Sequence, residues 1–183
     1  LVSWTKLIKY CNENNIEYEL SNGHTSIVHL ARYSSLGINP ETKCNPCKNP
    51  FGGQYEYDYI MFIDSDMVFE PWHLQKLLDA DKKIVTGVYR IEKTNYLACH
   101  DMENNKLTIE DVKDEIIPVS FSGMGFMLIK KGVFESMQFP YFTTDNPSII
   151  SETISFCMNL QKTDIQLYAD TSVVIGHEKQ MII

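Results

Sequence analysis

No apolar run in this 183-residue sequence reaches the roughly 18 residues that a membrane span requires. No secretory leader pattern is visible either. Basic residues never gather into a block: 16 Lys and Arg stand against 24 Asp and Glu, for a formal net charge of −8. That balance excludes a protein that grips a nucleic-acid backbone. Repeats and low-complexity tracts are lacking too, so a solenoid or a disordered tail is not expected. The five cysteines, Cys11, Cys44, Cys47, Cys99 and Cys157, are odd in number and scattered, which fits a reducing compartment better than a disulfide framework. Cys44 and Cys47 have C-x-x-C spacing, but no second pair follows to complete a zinc site. They lie in a Pro/Asn/Lys-rich stretch and read as loop thiols. What remains is a single domain with 44% hydrophobic residues, able to bury a core, in a cytoplasmic setting or peripheral to a membrane.

The most informative stretch present is Tyr57-Asp-Tyr-Ile-Met-Phe-Ile-Asp-Ser-Asp66. Tyr59 to Ile63 is β-branched and aromatic and has the length of a buried strand. Packing does not explain a strand that ends in Asp64-Ser65-Asp66, because buried carboxylates without partners are costly. Two carboxylates at the end of a strand suit a hard divalent cation, which takes oxygen ligands and commonly phosphate oxygens as well. The competing reading is a turn with solvated acids.

Helical spacing of Leu1, Trp4, Leu7, Ile8 and Cys11 predicts a helix over residues 1–15, and Ile16 to Leu20 reads as a strand. A second helix is expected from Ser26 to Ser35, then a Pro/Gly-rich loop from Asn39 to Gln54. Pro71 opens a helix containing Trp72, Leu74, Leu77 and Leu78, and Lys83 to Arg90 is a strand. Short strands follow at 96–100 and 106–109. Ile116 to Phe121 and Gly125 to Ile129 are strand-like around a Gly123-Met124-Gly125 turn. A short helix at 131–137, a helix from Glu152 to Gln161 and two last strands, at 166–168 and 173–175, complete the chain. Strands alternating with helices argue for α/β architecture, a three-layer α/β/α sandwich with a mostly parallel central sheet. Because the sequence opens on a helix, a preceding strand is expected to be missing from it, so that the domain is N-terminally incomplete or borrows a strand from a second copy in a homo-oligomer.

Several of these segments resemble, in order, the motifs of glycosyltransferases of the GT-A fold, especially the family-2-like group. Asp64-Ser65-Asp66 resembles the DXD motif, and Gly123-Met-Gly-Phe-Met-Leu-Ile-Lys-Lys-Gly-Val-Phe134 the glycine turn, strand and short helix on the acceptor side. Ser151-Glu-Thr-Ile-Ser-Phe-Cys157 resembles the helix that opens with an acidic pair and continues Ile-x-Phe-Cys, and Asp170 to His177 the closing strand whose histidine completes the metal site. The resemblance implies a nucleotide-sugar donor, a carbohydrate or other hydroxyl acceptor, and Mn2+ or Mg2+ held by Asp64, Asp66 and His177. Ser65 and Arg32 would lie on the donor side, with Arg32 reaching a phosphate or the DXD carboxylates. Gly123, Met124 and Gly125 would form the sugar or acceptor loop, glycine allowing close backbone approach. An inverting enzyme needs a general base, and the family's aspartate is replaced here by Thr153. A threonine hydroxyl is no base at neutral pH, so Glu152, one residue earlier, is the candidate. Two other readings remain: a non-catalytic nucleotide-sugar or carbohydrate-binding module, and a haloacid-dehalogenase-like phosphatase in which Asp64 is the nucleophile.

Overall fold

In a computed structural model of the chain, the described residues are 1–39, 49–143 and 151–178. Cys44 and Cys47 lie outside them. Two compact units are built from interleaved segments. The first comprises Leu1–Tyr18, Met61–Ile129 and the chain from Gln166 onward; the second comprises Glu19–Ile60 and Lys130–Ile165.

In the first unit α1 (Val2–Glu13) and α3 (Pro71–Asp79) are amphipathic helices. They turn Leu7, Cys11, Leu74 and Leu77 inward. The strands are β1 (Tyr59–Ile63), β2 (Met67–Val68), β3 (Ile84–Tyr89), β6 (Ile116–Val119), β8 (Phe126–Lys130) and β9 (Leu167–His177). They form one sheet in the order β1-β8-β3-β9-β2, with β6 also paired to β9. A small second sheet has the order β5-β4-β7, from β4 (Tyr96–His100), β5 (Lys106–Thr108) and β7 (Phe121–Ser122). Every residue of β3 is buried, as befits a central strand. Phe126 on β8 packs against Phe69, ring centroids 5.1 Å apart, and Phe69 meets Trp4 edge-on.

The expected mostly parallel sheet is not what forms. β8 runs antiparallel to β3, and β2 and β6 both run antiparallel to β9; β3 with β9 is the parallel pair. Flanking bonds from Asp64 N to Gly125 O and from Lys131 N to Asp58 O make β1 and β8 antiparallel as well. The reason is local. β8 is entered from the Gly123–Gly125 turn and slots between β1 and β3 against both, whereas a parallel neighbour would need a crossover connection. The three-layer, mostly parallel sandwich is therefore replaced by a mixed α/β fold with a mostly antiparallel sheet.

Two further expectations are corrected. Residues 16–20 form no strand: Tyr18 and Leu20 are exposed, and their alternation finds no sheet to bury against. The two last short strands are one, β9, whose register shifts opposite Gly87 and Val88. There Asp170 Oδ1 accepts from the backbone N–H of Ser172 at 2.9 Å and its hydroxyl at 2.6 Å, stitching the irregularity together.

At the start of α3, buried His73 accepts at Nδ1 from the Glu70 N–H, 3.0 Å away, closing a capping box. Burial holds the His73 imidazole below the ordinary histidine value of 6.5; Glu70 opposes this and Lys76 adds to it. With the folded value depressed, the unfolded chain takes up a proton first as pH falls, so this stability is present above about 6.5 and lost through the folded value. Melting temperature is expected to drop between about pH 7 and pH 5, and His73→Asn should flatten part of that slope. His100 is depressed by burial too, so the readout is the difference between wild type and variant. An identical slope in both would remove His73 from the account.

In the second unit α2 (Val28–Ser35), α4 (Val133–Ser136) and α5 (Glu152–Leu160) surround an aromatic core. Tyr33, Phe134, Tyr141, Phe142 and Phe156 are each at most 2% exposed. The Asn159 amide donates to the carbonyls of Pro140 and Thr143, at 2.9 and 3.0 Å, fixing the loop that carries two of these rings.

Candidate functional site

Strand direction brings the chemistry of the first unit to one place. β1, β3 and β9 run the same way, so their carboxyl ends share one end of the sheet, as does the Gly123–Gly125 turn that feeds β8. Asp64 follows β1; its N–H donates to the Gly125 carbonyl at 2.9 Å, and its own carbonyl accepts from Met67 N. The turn through exposed Ser65 delivers Asp66 beside the end of β9, where Met67 pairs with His177. The Asp66 carbonyl also accepts from Glu178 N at 2.8 Å.

Here Asp66 Oδ2 and His177 Nε2 lie 3.1 Å apart, with the two side chains 36% and 18% exposed. Nδ1 of the same imidazole is 3.3 Å from the Arg90 carbonyl. A carbonyl only accepts, so Nδ1 carries the proton in that bond. Nε2 then turns a lone pair toward the carboxylate, unless it too is protonated. An approach of 3.1 Å between two such atoms calls for a proton or a cation shared between them. Metal-binding histidines commonly donate their other N–H to a backbone carbonyl in this way. Two ligands at right angles, each about 2.1 Å from one octahedral cation, are about 3.0 Å apart, so the pair fits a shared divalent ion.

The expected three-residue set is assembled only in part. Among the described residues, no group of three or more His, Cys, Asp and Glu could hold a metal ion. Asp66 and His177 are brought together, whereas Asp64 is adjacent along the chain and half-buried. Two protein groups still fit Mg2+ or Mn2+, which take one or two carboxylates and fill the remaining positions with water and phosphate oxygens.

The glycine turn has a packing reason that the sequence did not reveal. A Cβ on Gly123 would stand 2.0 Å from the Tyr89 hydroxyl, and one on Gly125 would meet Met67 Cε at 2.4 Å and Tyr89 at 3.1 Å. Gly123 makes room for the Tyr89 hydroxyl, which accepts from Gly125 N at 3.2 Å, and Gly125 for the end of Met67. Met124, expected in a sugar loop, is 1% exposed and is a core residue. Sequence reasoning missed Tyr89 and the Arg90 carbonyl; the only hint was a strand, Gly87-Val-Tyr-Arg90, that ends on an aromatic and a cation.

In the second unit, Arg32 and Glu152 form an ion pair at 4.0 Å, with side chains 9% and 18% exposed. The Thr153 hydroxyl donates to Glu152 Oε1 at 3.0 Å. Two expected site residues are thus engaged with each other, and the threonine in the place of the family's aspartate bonds the neighbouring acid.

No protein-family profile and no curated protein matches the chain. In fold it is a mixed α/β protein with a mostly antiparallel sheet. It is similar to the crystal structure of A197 from STIV, a viral protein, with a TM-score of 0.55, 19% identity, and coverage of 97% of this chain and 89% of that one. At that identity the likeness is one of fold. The resemblance to family-2-like GT-A glycosyltransferases is accordingly corrected: no family match supports it, and the sheet is not the mostly parallel one it implied. Four short motifs in order were too little sequence to carry a family.

Proposed function

We propose that the chain is a metal-dependent glycosyltransferase that takes a sugar from a nucleotide-diphosphate donor to an acceptor hydroxyl, with inversion. The supporting observation is the posture of His177, tethered at Nδ1 to the Arg90 carbonyl with Nε2 turned to Asp66. Asp66 and His177 would hold Mn2+ or Mg2+, imidazole favouring Mn2+. When bound, the ion neutralises charge on the diphosphate leaving group. The chain's own part is to aim two ligands from a turn and a strand end, both fixed by backbone hydrogen bonds. Asp64 and Ser65 line the same turn on the donor side. Among the described residues no helix is long and apolar enough to cross a membrane, which suits a cytoplasmic or peripheral setting.

Glu152 is the candidate base, and its surroundings favour a second reading. Its carboxylate is already engaged within the unit, by the Arg32 guanidinium at 4.0 Å and by the Thr153 hydroxyl at 3.0 Å. A binding module that holds nucleotide sugars without turning them over fits that arrangement. A thermal-shift screen of nucleoside diphosphates and nucleotide sugars, with and without Mn2+, tests binding, since a ligand of the native state raises its melting temperature. Product analysis of any stabilising nucleotide sugar then separates the readings. Stabilisation without hydrolysis or transfer leaves the binding module; no stabilisation by any diphosphate under either metal condition refutes both.

A further inference from the structure

Tyr89 is 8% exposed and sits at the carboxyl end of β3, paired in register with Ile175, two residues before His177. Its ring meets the His177 imidazole nearly edge-on, with centroids 5.5 Å apart and planes at 67°. Its hydroxyl lies under the Gly123–Gly125 turn and takes the Gly125 N–H, and Gly125 in turn accepts from Asp64 N through its carbonyl. One side chain therefore touches the imidazole at one end and the backbone that positions Asp64 at the other. Gly123 is required to admit it, since a Cβ there would stand 2.0 Å from its hydroxyl, whereas one on Gly125 would press on its ring at 3.1 Å.

We propose that Tyr89 is a positioning residue of the cation site, holding the His177 ring so that Nε2 faces Asp66 and coupling that ring to the Gly123–Gly125 turn. Among the described residues the imidazole has one polar tether besides Asp66 itself, the 3.3 Å bond from Nδ1 to the Arg90 carbonyl. The Tyr89 ring supplies the second restraint. Groups that orient a metal-binding histidine without touching the metal are commonly worth about ten- to a hundredfold in affinity. The proposal rests on the cation reading above, and its test is built to fail separately from it.

Mn2+ affinity is measured from the electron paramagnetic resonance signal of the free ion, and the His177 ring nitrogens are followed in the metal-free protein by long-range 1H–15N correlation. Tyr89→Leu, confirmed folded, is expected to bind Mn2+ about tenfold more weakly or worse, and to replace the single ring-nitrogen pattern of His177 by a mixture of patterns. Tyr89→Phe keeps the ring and should stay closer to wild type. Gly123→Ala, which drives the ring out, should reproduce Tyr89→Leu and add little to it in the double variant. Wild-type affinity and an unchanged His177 spectrum in folded Tyr89→Leu would overturn the proposal. If Tyr89→Leu does not fold, Gly123→Ala decides: undiminished Mn2+ affinity overturns the proposal, and partial recovery on adding Tyr89→Phe supports it. If the wild type binds no Mn2+, the cation reading falls, and the metal-free His177 spectra alone uphold or overturn the role of Tyr89.

Discussion

Asp66→Ala is expected to abolish the Mn2+-dependent rise in melting temperature while leaving the metal-free protein almost as stable as before. Asp66 is 36% exposed and its ion-pair partner is a histidine, so losing the pair costs at most about 1 kcal/mol. Its backbone contributions to the turn, the carbonyl that accepts Glu178 N above all, survive the substitution. Linkage, by contrast, is large: saturation at about a hundred times the dissociation constant stabilises the native state by about 2.7 kcal/mol. That whole amount should vanish with Asp66, and with His177→Ala by the same argument. Asp64→Asn should keep more of it, because the structure does not gather Asp64 into the Asp66–His177 pair. Melting curves of the three variants with and without Mn2+ check the ranking. An undiminished shift in Asp66→Ala would move the cation elsewhere in the molecule.

The residues in this ranking were legible in the sequence because each breaks a local rule. Acids that end a buried strand and a histidine that closes one stand out against the apolar pattern around them. The existence of most elements was legible as well, from Pro71 opening α3 to the run of β-branched residues in β3. Strand direction was not. A buried strand is apolar whichever way its neighbour runs, so the pattern of β8 does not reveal that it lies antiparallel between β1 and β3. Nor was the continuity of β9: Asp170 and Ser172 look like a break, and only their mutual hydrogen bonds show that the strand continues. Residues 16–20 alternate as a strand should, but alternation produces one only where a sheet edge is available to pair with. Tyr89 carried little signal beyond its place at the end of a strand. An aromatic in an apolar strand reads as core, and Gly123, which makes room for its hydroxyl, lies more than 30 residues away in sequence.

Phe126→Ala is expected to cost about 3–5 kcal/mol, more than any change at the cation pair, because it empties the centre of the first unit. Phe126 is fully buried on β8, with Phe69 at 5.1 Å and the His73 ring at 6.2 Å between centroids. Its carbonyl accepts from the buried Thr86 hydroxyl at 3.0 Å, a bond that any residue at this position retains. The loss is therefore one of ring volume and contact, with no added polar penalty. Relaxation cannot close the gap cheaply: β3 and β8 are locked by the register Thr86 to Met127, and α3 is anchored by its capping box at His73. For a protein with about 5–15 kcal/mol of net stability, a loss of this size shifts the urea midpoint far toward zero. Phe126→Leu, which refills most of the volume, should recover the greater part. Urea unfolding followed by far-ultraviolet circular dichroism measures both, and a loss under about 1 kcal/mol for alanine would mean that Phe126 is not the packing centre described. Because β8 begins one residue after Gly125, the same variant should also weaken Mn2+ binding, whereas Asp66→Ala leaves the unfolding midpoint nearly in place. A fold defect and a site defect are thereby told apart: the first moves both measurements, the second Mn2+ binding alone.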